Sequence, residues 1–291
     1  MPKKALLTFE EIERLVTILA SMGISKIRLT GGEPFVRTDL MQLIRRIKSI
    51  EGIRDIHLTT NGVLTGKQIP ELKEIGIASV NLSLDTLDKK RFKEITRRDE
   101  FDNTWDTFLQ LIESGIAVKI NCVVMDGKNT DDILPLAELA KNFPVSVRFI
   151  EEMPFNGEGS HYPVLNWSYK KILEHIRQSH PAIEKIKDGP NATASHYKIP
   201  GFQGDLGIIA AFSRTFCGTC NRIRVTAQGS LKTCLYDQGV LDIKSLMRSG
   251  ANDEEIKFAL LSAFRSRPKD GFEAEKLRGL EVTESMSTIG G

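Results

Sequence analysis

The chain has 291 residues, of which 41% are hydrophobic and 27% are charged, and its formal net charge is +2. These values predict a soluble globular protein with one large α/β domain, alone or with a smaller partner domain. The near-neutral charge provides no global basic field, so neither nucleic acid nor a membrane is expected as a partner. No apolar run approaches the roughly 18 residues of a spanning helix. The N-terminus lacks a signal-peptide core, and we expect a cytoplasmic protein.

Hydrophobic periodicity along the first half of the chain predicts helices that alternate with strands. Thr8 and Glu11 form a capping-box signature ahead of the first helix. In chain order we expect a helix at 8–22, a strand at 26–30, a helix at 39–50, a strand at 56–60, a helix at 67–75, a strand at 79–84, helices at 89–95 and 104–114, a strand at 118–124, a helix at 131–142 and a strand at 146–150. Five apolar strands separated by helices predict a parallel α/β sheet. Right-handed crossovers then make it a curved sheet or barrel with the helices outside.

The regular alternation of predicted helices and strands ends near residue 155, where the turn-rich run 154–159 predicts a domain boundary. We therefore expect the curved βα sheet or barrel over 1–155 and a C-terminal α+β region over 156–291. In that region we predict a helix at 168–178, a polar loop through Ser195, a hairpin from strands 223–226 and 231–235, helices at 243–248 and 253–264, and a charged, flexible tail. Gln228 and Gly229 are the predicted turn of the hairpin.

Three late cysteines, Cys217, Cys220 and Cys234, give the sharpest local signal in the sequence. Cys217 and Cys220 can point their thiolates at one centre from a tight turn, which Gly218 would ease, and Cys234 comes from the following hairpin. Three thiolates without a histidine leave one position open on a zinc ion or on one iron of a [4Fe–4S] cluster. Structural zinc with a ligand from elsewhere stays an alternative. Cys122 lies inside a predicted strand and is expected to be a core residue.

Two arginines, Arg222 and Arg224, follow the second of these cysteines at once. Alternation along a strand places both on one face, beside the predicted metal. Their guanidinium groups offer bidentate donors that suit an anionic or purine ligand. The alternative interpretation is a solvated strand face.

An ordered series of motifs resembles one protein family over nearly the whole chain. The motifs are Arg28–Pro34 (RLTGGEP), Leu58–Gly62 (LTTNG), Asn81–Asp85 (NLSLD), Val118–Asn121 (VKIN), Arg148–Met153 (RFIEEM), the three late cysteines and the final Gly290-Gly291. Glycines at the end of a strand let a backbone approach a ligand closely. The series is similar to GTP 3′,8-cyclases, which are radical S-adenosylmethionine enzymes that open molybdenum cofactor biosynthesis.

The resemblance implies a partial (βα)6 TIM-like barrel that holds S-adenosylmethionine on an N-terminal [4Fe–4S] cluster. A second [4Fe–4S] cluster, on Cys217, Cys220 and Cys234, would bind GTP at its open iron. By motif, S-adenosylmethionine would contact Gly32, Ser83 and Met153. GTP would contact Arg28, Thr59, Lys119, Arg222 and Arg224. The terminal Gly-Gly would reach into the site, and no catalytic residue is assigned.

The implied reaction converts GTP to (8S)-3′,8-cyclo-7,8-dihydroguanosine 5′-triphosphate. A 5′-deoxyadenosyl radical would take hydrogen from C3′, and the ribose radical would close onto C8 of guanine. The implied partners are GTP, S-adenosylmethionine and an electron donor, and a homodimer is left open.

One departure from the family is large, because the 291 residues contain no CxxxCxxC loop for the N-terminal cluster. The sequence also opens on a helix, whereas a βα barrel normally opens on a strand. We therefore expect a truncated chain that lacks the first strand of the barrel and is inactive alone. The alternatives are a missing half supplied separately, another radical S-adenosylmethionine enzyme with an auxiliary cluster, and a non-catalytic metal- and nucleotide-binding remnant.

Overall fold

The structure is a computed structural model that describes residues 5–155, 164–278 and 284–289. The chain forms two compact units that interleave along the sequence. Unit 1 comprises Met1–His57, Phe155–Ser160 and Asn221–Gly291, and unit 2 comprises Leu58–Pro154 and His161–Cys220. Among the described residues, none of the helices has both the length and the apolar character needed to cross a membrane.

The helices and strands follow the predicted order closely through residue 151. They are α1 (Phe9–Ser21), β1 (Lys26–Leu29), α2 (Leu40–Ser49), β2 (Asp55–Thr60), α3 (Ile69–Ile75), β3 (Ser79–Ser83), α4 (Lys89–Thr96), α5 (Phe101–Ser114), β4 (Val118–Val124), α6 (Ile133–Asn142), β5 (Ser146–Glu151), α7 (Tyr169–Ser179), β6 (Glu184–Lys185), β7 (Ala194–Lys198), β8 (Asp205–Ile209), β9 (Arg224–Val225), β10 (Ser230–Lys232), β11 (Leu241–Asp242), α8 (Ile243–Arg248), α9 (Asp253–Arg265), α10 (Gly271–Arg278) and α11 (Met286–Ile289). Three-residue 3₁₀ turns stand at 34–36, 66–68, 130–132 and 217–219.

Unit 2 is built around a sheet with the strand order β3-β4-β5-β8-β7-β6, and the residues of β2 in this unit lie next to β3. The pairs β3–β4, β4–β5 and β5–β8 are parallel, whereas β8–β7 and β7–β6 are antiparallel. Along β4 every second residue is buried, and Cys122 is among them with 0% exposure. Cys122 is thus a core residue, as its position in a strand predicted.

The stretch between α7 and residue 209 corrects the sequence-based prediction of a polar loop through Ser195. It forms β6 and the start of β7, and β8 then adds a parallel strand beside β5. A lone glycine inside an apolar strand pattern suggests the close approach of another segment, and Gly207 occupies such a position in β8. Here a Cβ at Gly207 would lie only 3.1 Å from Arg148 Cγ and 3.3 Å from Ala194 Cβ. The glycine is required by close packing inside the sheet.

Unit 1 has a separate apolar core formed by α1, α8, α9 and the three-stranded sheet β11-β10-β9. The predicted capping box of α1 is present, because Thr8 N–H donates to Glu11 Oε2 at 2.7 Å and Glu11 N–H donates to Thr8 Oγ1 at 3.1 Å. The hairpin β9–β10 is antiparallel, as predicted, and Gly229 forms its turn with a φ of +87°. A Cβ at Gly229 would lie 2.5 Å from Lys244 Cβ, so the hairpin depends on this glycine.

The charged C-terminal stretch was predicted to be a flexible tail, and that prediction is wrong for its described residues. The stretch contains α10 and α11, and it buries Ala274 and Ile289. Its residues gain order from contacts with distant parts of unit 1, which local sequence does not reveal. Gly290, Gly291 and most of the predicted boundary segment 154–159 lie outside the described residues.

Candidate functional site

Four of the predicted ligand-binding residues lie on successive strands of unit 2. Thr59 is in β2, Ser83 is the last residue of β3, Lys119 is in β4 and Met153 follows β5. Thr59 is buried, whereas Ser83 is exposed. Such folds bind small molecules at the carboxyl ends of their parallel strands, where Ser83 and Met153 lie, whereas Lys119 is the second residue of β4.

The strand register arranges polar side chains into two rows on one face of this sheet. The first row is Asn81, Lys119, Ser146 and Asp205, and the second is Ser83, Asn121, Arg148 and Gly207, each residue directly opposite the next. Directly paired residues point to the same face, and residues two apart in a strand share it too. We call the seven of these residues that have polar side chains, all except Gly207, the polar rows. Ser83 and Lys119 therefore belong to one surface, as a shared ligand site requires.

Sequence reasoning assigned no role to Asn81 or Asn121, and the structure shows that both have a buried acceptor. Asn81 is 1% exposed, and its Nδ2 donates to Thr59 Oγ1 at a long 3.5 Å. Asn81 Oδ1 and Asn121 Oδ1 are buried and accept no hydrogen bond from the residues that the structure describes. Buried polar atoms are almost always paired, so these two oxygens point to donors on a ligand.

A signal for these asparagines was present in the sequence. Strands of a parallel sheet that is covered on both faces read as continuous aliphatic runs. In β3, β4 and β5 polar residues instead recur at every second position. That pattern marks a strand face turned toward a ligand or solvent.

Behind the strand ends, a buried hydrogen-bond network fixes the chain that leaves β3. Val123 N–H donates to Asp85 Oδ1 at 2.8 Å, and Asn129 Nδ2 donates to the carbonyl oxygens of Asp85 at 2.9 Å and of Val123 at 2.8 Å. Burial raises the pKa of Asp85 to about 6, although part of its surface stays accessible. The network holds the ends of β3 and β4 in register.

Cys217 and Cys220 lie at the two ends of one tight turn in unit 2. Cys220 N–H donates to the Cys217 carbonyl at 3.2 Å, and both cysteines are half-buried and form no disulfide with the described residues. The spacing thus produces the turn that it predicted. Gly218 does not adopt a positive φ, and a Cβ there would meet nothing within 4 Å, so the turn does not depend on glycine.

Cys234 follows β10 in unit 1, where a buried aspartate orders its turn. Asp237 is 6% exposed, and its Oδ2 accepts from Thr233 N–H at 2.8 Å, Thr233 Oγ1 at 3.1 Å and Cys234 N–H at 2.8 Å. Gly239 N–H donates to the other oxygen, Oδ1, at 2.8 Å. Asp237 therefore fixes the backbone that carries Cys234, a role that sequence reasoning missed.

The remaining predicted ligand residues also lie in unit 1. Arg28 is in β1, and Gly32 is in the loop that leads from β1 to a turn capped by Glu33, whose Oε1 accepts from Phe35 N–H at 3.2 Å. Arg224 lies in β9 opposite Lys232, and Arg222 precedes it by two residues. The structure thus divides the predicted GTP residues between the units, with Thr59 and Lys119 in unit 2.

The three late cysteines have the donor chemistry of an iron–sulfur or zinc site, since none of their sulfurs is in a disulfide. Cys217 and Cys220 belong to unit 2 and Cys234 belongs to unit 1. Within 5–155, 164–278 and 284–289, no group of three or more His, Cys, Asp and Glu residues forms a site that could hold a metal ion. The cluster ligands stay a prediction from the sequence.

Two family models match consecutive parts of the chain. Residues 1–140 match the Radical SAM superfamily, and residues 145–273 match Molybdenum Cofactor Synthesis C. Among solved structures, Streptococcus suis SuiB covers 90% of this chain and 60% of its own, with a TM-score of 0.61 at 12% identity. SuiB bound to S-adenosylmethionine has a TM-score of 0.59 at 14% identity, over 80% of this chain and 55% of its own. The fold is thus an α/β radical S-adenosylmethionine sheet of the partial-barrel type with a C-terminal Molybdenum Cofactor Synthesis C segment.

Curated relatives agree with these models. The mouse Molybdenum cofactor biosynthesis protein 1 is 44% identical over 88% of this chain, which spans only 40% of that relative's length. The mitochondrial GTP 3′,8-cyclase of Arabidopsis thaliana is 38% identical over 91% of this chain and 68% of its own. The GTP 3′,8-cyclase of Clostridium perfringens SM101 is 42% identical over 91% of this chain and 81% of its own. With that identity over most of the bacterial enzyme, the chain belongs to the GTP 3′,8-cyclase family of radical S-adenosylmethionine proteins.

Proposed function

We propose that the protein acts as a GTP 3′,8-cyclase, which cyclises GTP to (8S)-3′,8-cyclo-7,8-dihydroguanosine 5′-triphosphate at the start of molybdenum cofactor biosynthesis. The observation that carries this proposal is the 42% identity to the Clostridium perfringens enzyme over 81% of its length. The ordered motifs on β1 to β5 and the three late cysteines support it, since they are the parts that would bind the two nucleotides.

The polar rows of unit 2 would orient the nucleotides. Lys119 supplies a positive charge for the triphosphate of GTP, and a charge-assisted contact is stronger than a neutral one. Ser83, together with Gly32 and Met153, would contact S-adenosylmethionine. The buried acceptors Asn81 Oδ1 and Asn121 Oδ1 suit ribose hydroxyls, because each needs one donor to satisfy it.

Cys217, Cys220 and Cys234 would hold a [4Fe–4S] cluster, and Arg222 and Arg224 would bind GTP beside it, together with Arg28 and Thr59. When bound, the family's two clusters supply the electron that cleaves S-adenosylmethionine and an open iron for GTP. The side chains of the protein bind and orient both nucleotides and exclude water. The division into a barrel over 1–155 and a C-terminal region over 156–291 stays a prediction, as do the electron donor and the homodimer.

A direct test of the substrate uses the chain reconstituted with iron and sulfide without oxygen. GTP is titrated while the electron paramagnetic resonance spectrum of the reduced cluster is recorded. GTP should change that spectrum saturably, and ATP at the same concentration should not. A site filled by zinc without iron, or a spectrum that ignores GTP, contradicts the proposal and favours the non-catalytic alternative.

The chemistry itself requires a second cluster, and the 291 residues contain no CxxxCxxC loop. The activity test therefore fuses the chain to a segment that carries such a loop. This fusion should convert GTP to the 3′,8-cyclised product when S-adenosylmethionine and a reductant are present. Replacement of Lys119 by Ala in the same fusion is the matched negative variant.

A further inference from the structure

Glu151 is a buried carboxylate at the end of β5 to which the proposed function gives no role. Its side chain is 0% exposed and accepts three hydrogen bonds within unit 2. Oε1 accepts from Tyr169 N–H at 2.7 Å and from Ser213 Oγ at 2.8 Å, and Oε2 accepts from Ser213 N–H at 2.7 Å. Both carboxylate oxygens are used, and short bonds to an ionised acceptor are strong ones.

The three donors come from two segments that are remote in sequence. Tyr169 is the first residue of α7, and its N-cap Ser168 makes no side-chain capping bond, so Glu151 supplies the cap. Ser213 lies 62 residues after Glu151, in the loop that follows β8. One carboxylate therefore ties β5 to the start of a helix and to this loop.

The loop that Glu151 holds leads directly to Cys217 and Cys220. It is a series of tight turns, in which Arg214 N–H donates to the Ala210 carbonyl at 2.7 Å and Cys217 N–H donates to the Arg214 carbonyl at 3.3 Å. Arg214 is 6% exposed and has a φ of +54°, which a bulky residue adopts only when its surroundings impose it. Because consecutive turns fix the backbone between Ser213 and Cys220, the position of Ser213 determines the positions of the two thiols.

We propose that Glu151 is a positioning residue that fixes the Cys217–Cys220 turn through Ser213. The inference rests on the proposed function, in which these cysteines hold a cluster. Glu151 presents both thiols in one arrangement before the cluster forms. The competing role is purely structural, in which Glu151 only caps α7.

Four variants separate the two roles. Glu151→Gln keeps the volume but turns an amide N–H₂ toward an N–H or hydroxyl donor, so at least one bond is lost. Ser213→Ala removes only the hydroxyl bond to Oε1. Tyr169→Pro removes the N–H that α7 contributes and spares Ser213. Proline is tolerated at the first position of a helix, and the extended Ser168, with a ψ of 162°, accepts a following proline. Tyr169→Ala controls for the lost ring.

The first readout needs no cluster. In the metal-free chain, the rates at which iodoacetamide alkylates Cys217 and Cys220 are measured by mass spectrometry. Glu151→Gln should change at least one of these rates threefold or more, Ser213→Ala should do so in the same direction, and Tyr169→Pro should match Tyr169→Ala. If Glu151→Gln does not fold, Ser213→Ala decides. Unchanged rates in the variants of Glu151 and Ser213 overturn the proposal.

The second readout is the cluster. After reconstitution without oxygen, Glu151→Gln should at least halve the bound iron, or alter the spectrum of the reduced cluster and weaken GTP binding about tenfold. Tyr169→Pro should keep the cluster and GTP binding of Tyr169→Ala even if its Tm falls. An equal loss in Tyr169→Pro means that Glu151 acts only by capping α7. If the unaltered chain binds no cluster, the proposed function fails, and the alkylation rates still test the positioning role.

Discussion

The ammonium of Lys232 donates to Glu284 Oε2 at 2.6 Å, and the Lys232 side chain is only 1% exposed. Arg278, whose side chain is 4% exposed, donates to the same oxygen at 3.1 Å. Nε and Nη1 of Arg278 are buried without an acceptor among the residues that the structure describes. Two buried cations thus share one carboxylate. This contact ties the segment after α10 to Lys232 at the end of β10, and Lys232 lies two residues before Cys234.

Loss of Glu284 should therefore destabilise the protein more than loss of Lys232. Glu284→Gln leaves two buried cations uncompensated and should lower the free energy of unfolding by about 3 kcal/mol. Lys232→Met keeps the volume and leaves Glu284 paired with Arg278, so its cost should be smaller. Urea denaturation measures both. Lys93→Met, in an exposed pair with Asp99, is the control and should change stability by less than about 0.5 kcal/mol. Equal losses in the first two variants would refute the shared-carboxylate account.

The three late cysteines should account for all the iron that the chain binds. Reconstitution without oxygen should give about four irons per chain, the content of one [4Fe–4S] cluster. Replacement of Cys217, Cys220 or Cys234 by Ala should abolish most of it. Cys122→Ala is the matched control, because that thiol is fully buried beside Asp85 and Asn129, and burial raises its pKa well above the ordinary value. About eight iron atoms per chain, or zinc in place of iron, would contradict this prediction.

GTP affinity should depend on the two arginines that follow Cys220. Arg222→Ala with Arg224→Ala should weaken GTP binding by about 2–4 kcal/mol, because each guanidinium can make a charge-assisted contact. The measurement is calorimetric titration of the reconstituted chain. The control pair Arg98→Ala with Arg177→Ala removes the same charge from exposed helical or loop positions and should leave the affinity within a factor of two. Equal effects of the two pairs would show that only net charge matters.

Stability should respond to pH through Asp85. Burial raises its pKa from 3.8 to about 6, so the folded state favours the protonated form. The cost of ionising it is absent below pH 3.8 and fully present above pH 6. Asp85→Asn avoids this cost and can still accept the Val123 N–H. Its stability relative to the unaltered chain should therefore improve by about 2 kcal/mol between pH 4.5 and 7.5, at 1.36 kcal/mol per pKa unit. A pH-independent difference in urea denaturation contradicts the assignment.

A polypeptide limited to these 291 residues should not cleave S-adenosylmethionine. Cleavage requires a cluster iron that chelates the methionine part, and the glycine-rich end of β1 has no cysteine nearby in the sequence. The measurement is 5′-deoxyadenosine after incubation with a strong reductant, with a boiled sample as the control. Product above the boiled control would show that another group supplies the electron.

Local sequence predicted the elements whose signals are local. The strands β1 to β5 and the helices between them follow from hydrophobic periodicity, and the start of α1 follows from the Thr8 and Glu11 capping box. The Cys217–Cys220 turn and the hairpin around Gly229 follow from short spacings in the same way. These features depend on residues only a few positions apart, so one stretch of sequence contains their whole cause.

Tertiary structure decided the features that join remote positions. The sequence did not reveal β8, in which Gly207 lies opposite Arg148 on β5 and a Cβ would lie 3.1 Å from Arg148 Cγ. Asn81 and Asn121 become a shared surface only through the register of β3 and β4. Glu151 accepts hydrogen bonds from Ser213, which is 62 residues away in the sequence, and Lys232 donates to Glu284, which is 52 residues away. The sequence by itself determined the family, the alternation of helices and strands through residue 151 and the cysteine spacing. Which segments pack together decides whether these polar groups are buried and which partners they find. The free energy of that packing is a property of the whole fold and not of any short stretch of sequence.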